Sequence, residues 1–265
     1  MREPSRAFQQ QFYDKHFAAR APSTGDLYTH PLFSSFYDRL AGLALDRGPG
    51  PDAAAARVLE VGCGEGLLGA AFARVARARG VSLDYTGVDL SESGLEQARP
   101  HVEGTLVQGD AAEVVAAQPE KTYDVITIKN LLHHLDDPAE LLRAVSRALA
   151  PGGRALVIEA SMKCPQNLVF DLLAPRREWH AFKGARRSIR AIRDAGLEIV
   201  RTERFGWLWW ELLFYIRFDL FRRLFSTNDP RVIARVNAFD EWATGRVPQL
   251  AVYHIWTAAA PGDAS

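Results

Sequence analysis

The stretch VLEVGCGEGLLG, Val58 to Gly69, decides the fold. A short Val- and Leu-containing run typical of a strand leads into a turn with the spacing G-x-G-x-G, at Gly62, Gly64 and Gly66. The residues after the turn are typical of a helix. Glycines let a ligand approach the backbone closely, and a helix N-terminus offers N–H donors. The turn therefore indicates a ligand site, although the turn alone is also compatible with simple packing.

Strand and helix patterns alternate outward from this turn, which predicts an α/β fold with a mainly parallel sheet. In such a sheet the ligand crevice lies at the carboxyl ends of the strands. The segments expected to form strands are RVLEV (57–61), LDYTGVDL (83–90), TLVQGD (105–110), YDVITIK (123–129), RALVIEA (154–160), LEIVRTE (197–203) and LAVYHIWTAA (250–259).

The chain divides into four predicted parts. Residues 1–52 form an N-terminal helical cap, and residues 53–205 form the α/β core. Residues 206–248 form a helical insertion, and residues 249–265 contain the last core strand and the tail. The boundary after the cap is marked by RGPGPD (47–52).

The composition is that of an ordinary globular protein of 265 residues, with 48% hydrophobic and 24% charged residues. The formal net charge is +0, from 32 basic and 32 acidic residues, which disfavours a nucleic-acid partner. Cys63 and Cys164 are the only cysteines, and they lack C-x-x-C spacing. So few cysteines are typical of a protein from a reducing compartment. The N-terminus lacks the apolar core of a signal peptide, so we expect a cytoplasmic protein, with no obligate protein partner indicated.

Polar residues follow successive predicted strands. Asp89, Asp110 and Asn130 come at or just after three strand ends, as the glycine turn does after the first strand. A carboxylate at the second strand end can accept both hydroxyls of a ribose. A further carboxylate suits an exocyclic amine. A ligand with ribose, adenine and a charged tail fits this set.

Five segments resemble, in order, the motifs of class I S-adenosylmethionine-dependent methyltransferases, most closely the UbiE-like small-molecule branch. They are VLEVGCGEG, YTGVDLS, VQGDAAE, YDVITIKNLLHHLDDP and LAPGG, and together they span about residues 56–160. The resemblance implies a Rossmann-like, doubly wound sheet of seven strands whose last strand runs antiparallel. The spacing also departs from the G-x-G-x-x-G of nicotinamide dehydrogenases, because position 67 is Leu.

The resemblance also assigns the cofactor contacts of S-adenosyl-L-methionine. The glycine turn with Glu60 would hold the methionine part, Asp89 the ribose hydroxyls and Asp110 the adenine amine. Asn130 and Leu131 would form the floor beside the methionine. The complete predicted set is Glu60, Gly62, Cys63, Gly64, Gly66, Asp89, Leu90, Asp110, Ala111, Asn130 and Leu131.

His133 and His134 follow the fourth strand, where the family places groups near the transferred methyl. Either could take a proton from the acceptor, and we favour His133; alternatively, both only shape the loop. We expect no metal, since His134-x-Asp136 lacks a third ligand. Metal-dependent relatives carry an acid where this chain has Lys129 and Asn130. The residues after Asn130 also differ from the Pro-Pro-aromatic pattern of enzymes that methylate nucleic-acid amines.

The segment GWLWWELLFYIRFDLFRRLF (206–225) is interrupted by charges too often to span a membrane. It could pack in the core, cover a lipophilic acceptor as a lid, or contact a membrane surface. Its position between the last two strands favours the lid. Trp210, Phe214 and Arg217 are its candidate acceptor contacts. Arg217 interrupts the apolar face, either by reaching toward water or by meeting a carboxylate or phosphate of the acceptor.

Basic residues cluster before and within the helix predicted over residues 185–195. They are Arg176, Arg177, Lys183, Arg186, Arg187, Arg190 and Arg193. Such a run is typical of a solvated face, and next to the aromatic insertion it could also dock on an anionic lipid surface.

The sequence therefore predicts an enzyme that transfers a methyl group from S-adenosylmethionine to a small, lipophilic acceptor. The methylated atom, O, N or C, stays open. The alternative is a relative that binds the cofactor without methylating, as a regulator or assembly subunit. An NAD-dependent dehydrogenase is disfavoured by the glycine spacing.

Overall fold

The computed structural model describes residues 9–15, 17–18, 28–46, 55–161, 163–164, 184–206 and 228–263. Three predicted acceptor contacts, Trp210, Phe214 and Arg217, lie outside the described residues. So do Arg176, Arg177 and Lys183.

Strands and helices alternate through the core. The helices are α1 (Pro31–Leu45), α2 (Leu67–Arg79), α3 (Glu92–Ala98), α4 (Ala111–Ala116), α5 (Pro138–Ala148), α6 (Gly184–Asp194) and α7 (Pro230–Arg246). The strands are β1 (Ala55–Val61), β2 (Ser82–Asp89), β3 (Thr105–Gln108), β4 (Tyr123–Lys129), β5 (Leu149–Ala160), β6 (Glu198–Phe205) and β7 (Tyr253–Ala259). Residues 9–15 are also helical.

The seven strands form one sheet in the order β3-β2-β1-β4-β5-β7-β6. The pairs from β3 to β5 are parallel, and β7 runs antiparallel to both β5 and β6. The direction in which successive strands are added to the sheet changes at β1, since β2 and β3 lie on one side of β1 and β4 lies on the other. The predicted doubly wound sheet with an antiparallel last strand is confirmed.

The sheet is covered on both faces, which is why its central strands are buried along most of their length. Six of the seven residues of β4 are buried. One face packs on α1 and α2 through residues such as Leu40 and Phe72, and the other packs on α5 and α6 through residues such as Leu142 and Ile192. The result is a three-layer α/β/α core whose ligand edge is set by the strand ends.

Strand β5 begins five residues earlier than the sequence pattern predicts. Leu149 already pairs with Tyr123, and the regular register resumes at Arg154 opposite Val125. The extra residues form an irregularity that contains Gly152 at φ +75°. Glycine adopts this left-handed conformation without steric cost, so the chain passes directly from α5 into the strand.

The turn after β1 requires glycine at Gly66, the N-cap of α2, which has φ +78°. A Cβ atom there would lie 2.6 Å from Val102 Cγ2 and 2.8 Å from Ala98 Cβ. The opposite end of α2 is also capped by a left-handed glycine, Gly80 at φ +68°, but no atom lies within 4 Å of a Cβ at that position.

We expect Gly66→Ala to lower the free energy of unfolding by about 3 kcal/mol, because left-handed strain and overpacking add. Gly80→Ala is the matched control and should cost about 1 kcal/mol, since it carries the strain alone. Urea unfolding of both variants measures the difference. Equal losses would show that the packing around Gly66 contributes nothing.

Candidate functional site

The predicted cofactor residues lie along one edge of the sheet. The glycine turn follows β1, Asp89 ends β2, Asp110 follows β3 and Asn130 follows β4. These four strands are neighbours, and Val61 at the end of β1 pairs with Val88 and with Ile128. The parallel register therefore brings residues from four separate segments to one crevice.

Four backbone N–H groups of the glycine turn donate hydrogen bonds within the protein. Those of Gly62 and Cys63 donate to the Val88 carbonyl at 2.8 and 3.0 Å. The Gly64 N–H donates to Asp89 Oδ2 at 2.7 Å, and the Gly66 N–H donates to the Cys63 carbonyl at 2.8 Å. A pyrophosphate site needs N–H groups directed at the ligand. These four N–H groups are therefore directed at the protein, and the left-handed glycines leave room for a ligand to approach the backbone closely.

Asp89 joins the turn to the next strand and helix. Besides the bond from Gly64, its Oδ1 accepts the Ser91 N–H at 2.9 Å. Burial raises the pKa of the Asp89 carboxyl, and the N–H donors of Ser91 and Gly64 oppose that rise. Ser91 in turn caps α3, as its position predicts, by accepting the Gly94 N–H. Leu90 follows Asp89 and is half-buried.

Asp110 has a structural task that the sequence analysis did not assign. It is the N-cap of α4, and its Oδ1 accepts the N–H groups of Ala112 and Glu113 at 3.0 and 3.2 Å. Ala111 is the first residue of that helix. A carboxylate fixed in this way lies at a defined place beside the end of β3, where the adenine contact is expected.

Glu60 lies beneath the turn and is 3% exposed. The Tyr85 hydroxyl donates a hydrogen bond of 2.6 Å to its Oε2. Desolvation raises the pKa of the Glu60 carboxyl to about 8, while Tyr85 and the Lys129 ammonium act to lower it. The sequence offered no sign of Tyr85 as the partner, because the contact depends on the pairing of β1 with β2.

Asn130 is a non-glycine residue held at φ +52° directly after β4. Its Nδ2 donates to the Tyr253 hydroxyl at 3.4 Å. Its Oδ1 is buried and has no hydrogen-bond partner among the described residues. Leu131 borders the glycine turn, since its Cδ2 would lie 3.3 Å from a Cβ at Gly62. A strained residue with a buried acceptor atom indicates a ligand contact at this point.

These observations fit an S-adenosylmethionine site. The turn has three left-handed glycines, which permit close backbone approach, and a carboxylate lies on the adjacent strand end. The buried Asn130 oxygen offers an acceptor for a polar hydrogen of the ligand.

The two histidines after β4 lie side by side, with ring centroids 4.0 Å apart, but have different partners. His133 Nδ1 lies 2.6 Å from Glu159 Oε2, at the end of β5. The Tyr13 hydroxyl lies 3.0 Å from each ring nitrogen of His134. Neither Glu159 nor Tyr13 was singled out from the sequence, where both are far from the histidines.

The N-terminal helical residues contact the cofactor edge. The Ser91 hydroxyl donates to Asp14 Oδ1 at 2.6 Å, and the Gln97 side chain donates to the Phe17 carbonyl at 2.9 Å. The Phe17 ring is close enough that a Cβ at Gly64 would lie 2.9 Å from its Cζ. Residues that the sequence predicted only as part of an N-terminal helical cap thus border the glycine turn.

A cluster of aromatic rings lies beside the strand ends of β4, β6 and β7. It consists of Phe36, Tyr37, Phe205 and Tyr253, whose neighbouring rings are 5.0–6.3 Å apart. The Lys129 ammonium lies 4.9 Å from the Tyr253 ring centroid and 5.6 Å from that of Tyr37. Cation–π contact thus stabilises the lysine at the end of β4. Among the described side chains, no cluster of three or more His, Cys, Asp or Glu is placed to hold a metal ion.

The basic residues of α6 divide into two groups. Arg186, Arg190 and Arg193 are exposed, as expected of a solvated face. The Arg187 Nη2 instead donates to the carbonyls of Leu135 and Asp136 at 2.6 and 2.7 Å. Arg187 therefore fixes the loop that follows the two histidines.

The strand order and the site together define the methyltransferase class of Rossmann-like folds. The profile of the family described as "Methyltransferase domain" matches residues 29–202. The chain therefore belongs to the methyltransferase-domain family.

The curated relatives include proteins named ubiquinone biosynthesis O-methyltransferase, of which two illustrate the match. The protein of Pseudomonas paraeruginosa is 32% identical over 187 residues, which are 64% of this chain and 72% of the relative. That of Idiomarina loihiensis is 41% identical over 102 residues, which are 37% of this chain and 40% of the relative. The match thus spans less than half the length of the second relative.

Among solved structures, phosphoethanolamine N-methyltransferase 2 of Haemonchus contortus, in complex with phosphomonomethylethanolamine and S-adenosylhomocysteine, has the same fold. The TM-score is 0.53 and the sequence identity 20%, over 84% of this chain and 53% of that one.

We expect the stability of the cofactor-free protein to fall as the pH rises from about 4.5 to about 8. In that window the native state retains the Glu60 proton that the unfolded state, with the ordinary value of 4.5, has lost. Glu60→Gln keeps a neutral side chain at every pH. The variant should therefore lose this pH-dependent part of the free energy of unfolding, which is on the order of a few kcal/mol. Urea unfolding at pH 5, 6.5 and 8 measures it. Parallel pH profiles for the variant and the wild type would contradict the raised pKa.

Proposed function

We propose that this chain transfers a methyl group from S-adenosylmethionine to a hydroxyl oxygen of a small, lipophilic acceptor. The observation that carries the proposal is the convergence of the left-handed glycine turn, Asp89, Asp110 and Asn130 on one strand edge. S-adenosylmethionine supplies a methyl group on a sulfonium, and the sulfur keeps the electron pair of the broken bond.

The residues of the chain position this ligand from three sides. The Gly62–Gly66 turn with Glu60 holds the methionine part, and Asp89 accepts the ribose hydroxyls. Asp110 meets the adenine amine. Because four N–H groups of the turn already have partners within the protein, the recognition depends on carboxylates and close packing.

An oxygen acceptor is supported by the names of the two curated relatives, both O-methyltransferases. It is also supported by the histidines after β4, since an acceptor hydroxyl must lose a proton during the transfer. His133 is the proposed base. Its bond to a buried carboxylate, described above, supports this assignment over His134.

A lipophilic acceptor is supported by the aromatic cluster and by the sequence that follows it. Phe205 and Tyr253 lie on the two strands between which residues 206–248 are inserted. The aromatic segment 206–225 belongs to this insertion and is proposed to cover the acceptor. None of the described helices is long and apolar enough to cross a bilayer.

We expect Asp89→Asn to weaken S-adenosylmethionine binding by 10-fold or more, because an amide cannot accept both ribose hydroxyls as a carboxylate does. Asp84→Asn is the matched control, an exposed acid on the same strand, and should leave the affinity unchanged. Isothermal titration calorimetry measures both affinities.

The transfer itself is measured with a cofactor that carries an isotope-labelled methyl group and a series of phenolic acceptors with and without an apolar tail. Label should reach the acceptor oxygen in the wild type and fall in Asp89→Asn. Tight cofactor binding with no label on any acceptor, in the series or in cell extract, would instead support the non-catalytic alternative.

We expect Trp210→Ala and Phe214→Ala to raise the KM for acceptors with an apolar tail by 10-fold or more and to leave the cofactor affinity unchanged, because only the apolar cover is lost. Trp242→Ala is the control, since Trp242 on α7 is 57% exposed. An unchanged KM would exclude the lid. Flotation of the wild type with anionic vesicles, lost in Trp210→Ala, would assign the segment to membrane contact instead.

A further inference from the structure

Glu159 is a buried acid with two defined hydrogen bonds and no assigned role. It is the penultimate residue of β5 and is 6% exposed. Its Oε1 accepts the Leu132 N–H at 2.8 Å, and its Oε2 lies 2.6 Å from His133 Nδ1. Both contacts reach the short 3₁₀ turn Leu132–His134, so one carboxylate fixes the backbone and the side chain of the same segment.

The chemistry of the pair decides the tautomer of the histidine. A carboxylate is only an acceptor, so the short contact requires that His133 Nδ1 carries a proton and donates it. In the neutral ring the lone pair then resides on Nε2. Among the described residues none hydrogen-bonds to Nε2, and the His133 side chain keeps 16% of its surface exposed.

The location of this pair is set by the sheet and by the loop that follows it. Strands β4 and β5 are parallel neighbours, and Lys129 pairs with Ile158, which places Glu159 beside the chain leaving β4. The Asn130 N–H donates to the Ile158 carbonyl at 2.8 Å, and Arg187 holds the carbonyls of Leu135 and Asp136. The loop is thus fixed on both sides of His133.

We propose that Glu159 is a positioning residue that holds His133 as its Nδ1–H tautomer, so that Nε2 is the nitrogen that takes the proton of the acceptor hydroxyl. The inference rests on the proposed function. As the oxygen forms its bond to the methyl carbon, the bond between that carbon and the sulfonium sulfur breaks and its electron pair stays on the sulfur. The O–H bond of the acceptor breaks as well, and its proton moves to Nε2. The resulting imidazolium is stabilised by the adjacent carboxylate, and the proton later leaves to water.

The test uses the change Glu159→Gln, which keeps the size of the side chain. The amide oxygen can still accept the Leu132 N–H, but the amide nitrogen must donate to His133 Nδ1. The variant therefore favours the opposite tautomer, with the proton on Nε2 and no lone pair there. Glu140→Gln is the matched control, the same change at an exposed position of α5.

The first readout is independent of catalysis. Two-dimensional ¹⁵N–¹H NMR of the cofactor-free, histidine-labelled full chain at pH 8 distinguishes the two tautomers, and His133→Gln assigns the signal. We expect the Nδ1–H form in the wild type, in Glu140→Gln and in Glu159→Asp, and the Nε2–H form in Glu159→Gln. The Nε2–H form in the wild type would overturn the proposal.

The second readout is whether the variant changes kcat or instead changes the acceptor KM and the cofactor affinity. We expect kcat in Glu159→Gln to fall 100-fold or more, the range of general base catalysis, with acceptor KM and cofactor affinity within about twofold of the wild type. Glu159→Asp should recover part of kcat. A tautomer change without loss of kcat would remove His133 as the base. An absence of methyl transfer in the wild type would contradict the proposed function alone, because the NMR result would still stand.

Discussion

The site depends on the bond between the Gly64 N–H and the Asp89 carboxylate, which joins the turn after β1 to the end of β2. It exists because β1 and β2 are in parallel register and because Gly64 adopts a positive φ. The same carboxylate accepts the Ser91 N–H at the start of α3. One half-buried acid thus fixes the turn, the strand end and the following helix, and it is also the residue expected to meet the ribose.

Other groups at this edge of the sheet are also held in place by hydrogen bonds within the protein. The acids beside the cofactor edge are held by protein donors, as Asp110 is by its helix and Glu60 by Tyr85, and so are placed before a ligand arrives. At the neighbouring strand ends, the 3₁₀ turn after β4 is fixed by Glu159 and the loop that follows it by Arg187. Fixed groups reduce the reorganisation needed during the reaction, which is the main means by which such sites favour a transition state.

The sequence predicted the order of elements closely, because each unit carries its own signals. The pattern YDVITIK matches β4 residue by residue, and Ser91 and Asp137 cap the helices that follow them, as Ser and Asp before a helix commonly do. Strand β5 was predicted too short, because the Pro and Gly of LAPGG are typical of the stop of a helix, whereas here they form an irregularity inside the strand. The segment 207–227 lies outside the described residues, so its role stays a prediction.

By itself the sequence determined the α/β class, the glycine turn, the acids at successive strand ends and the family, because these are patterns within short segments. Only the tertiary structure decided the partners of those residues: Tyr85 for Glu60, Glu159 for His133, and Phe17 beside Gly64. Each of these contacts joins residues that are at least 25 positions apart in the sequence. Such pairs are set by strand register and by the packing of helices on the sheet, and neither is encoded in local spacing.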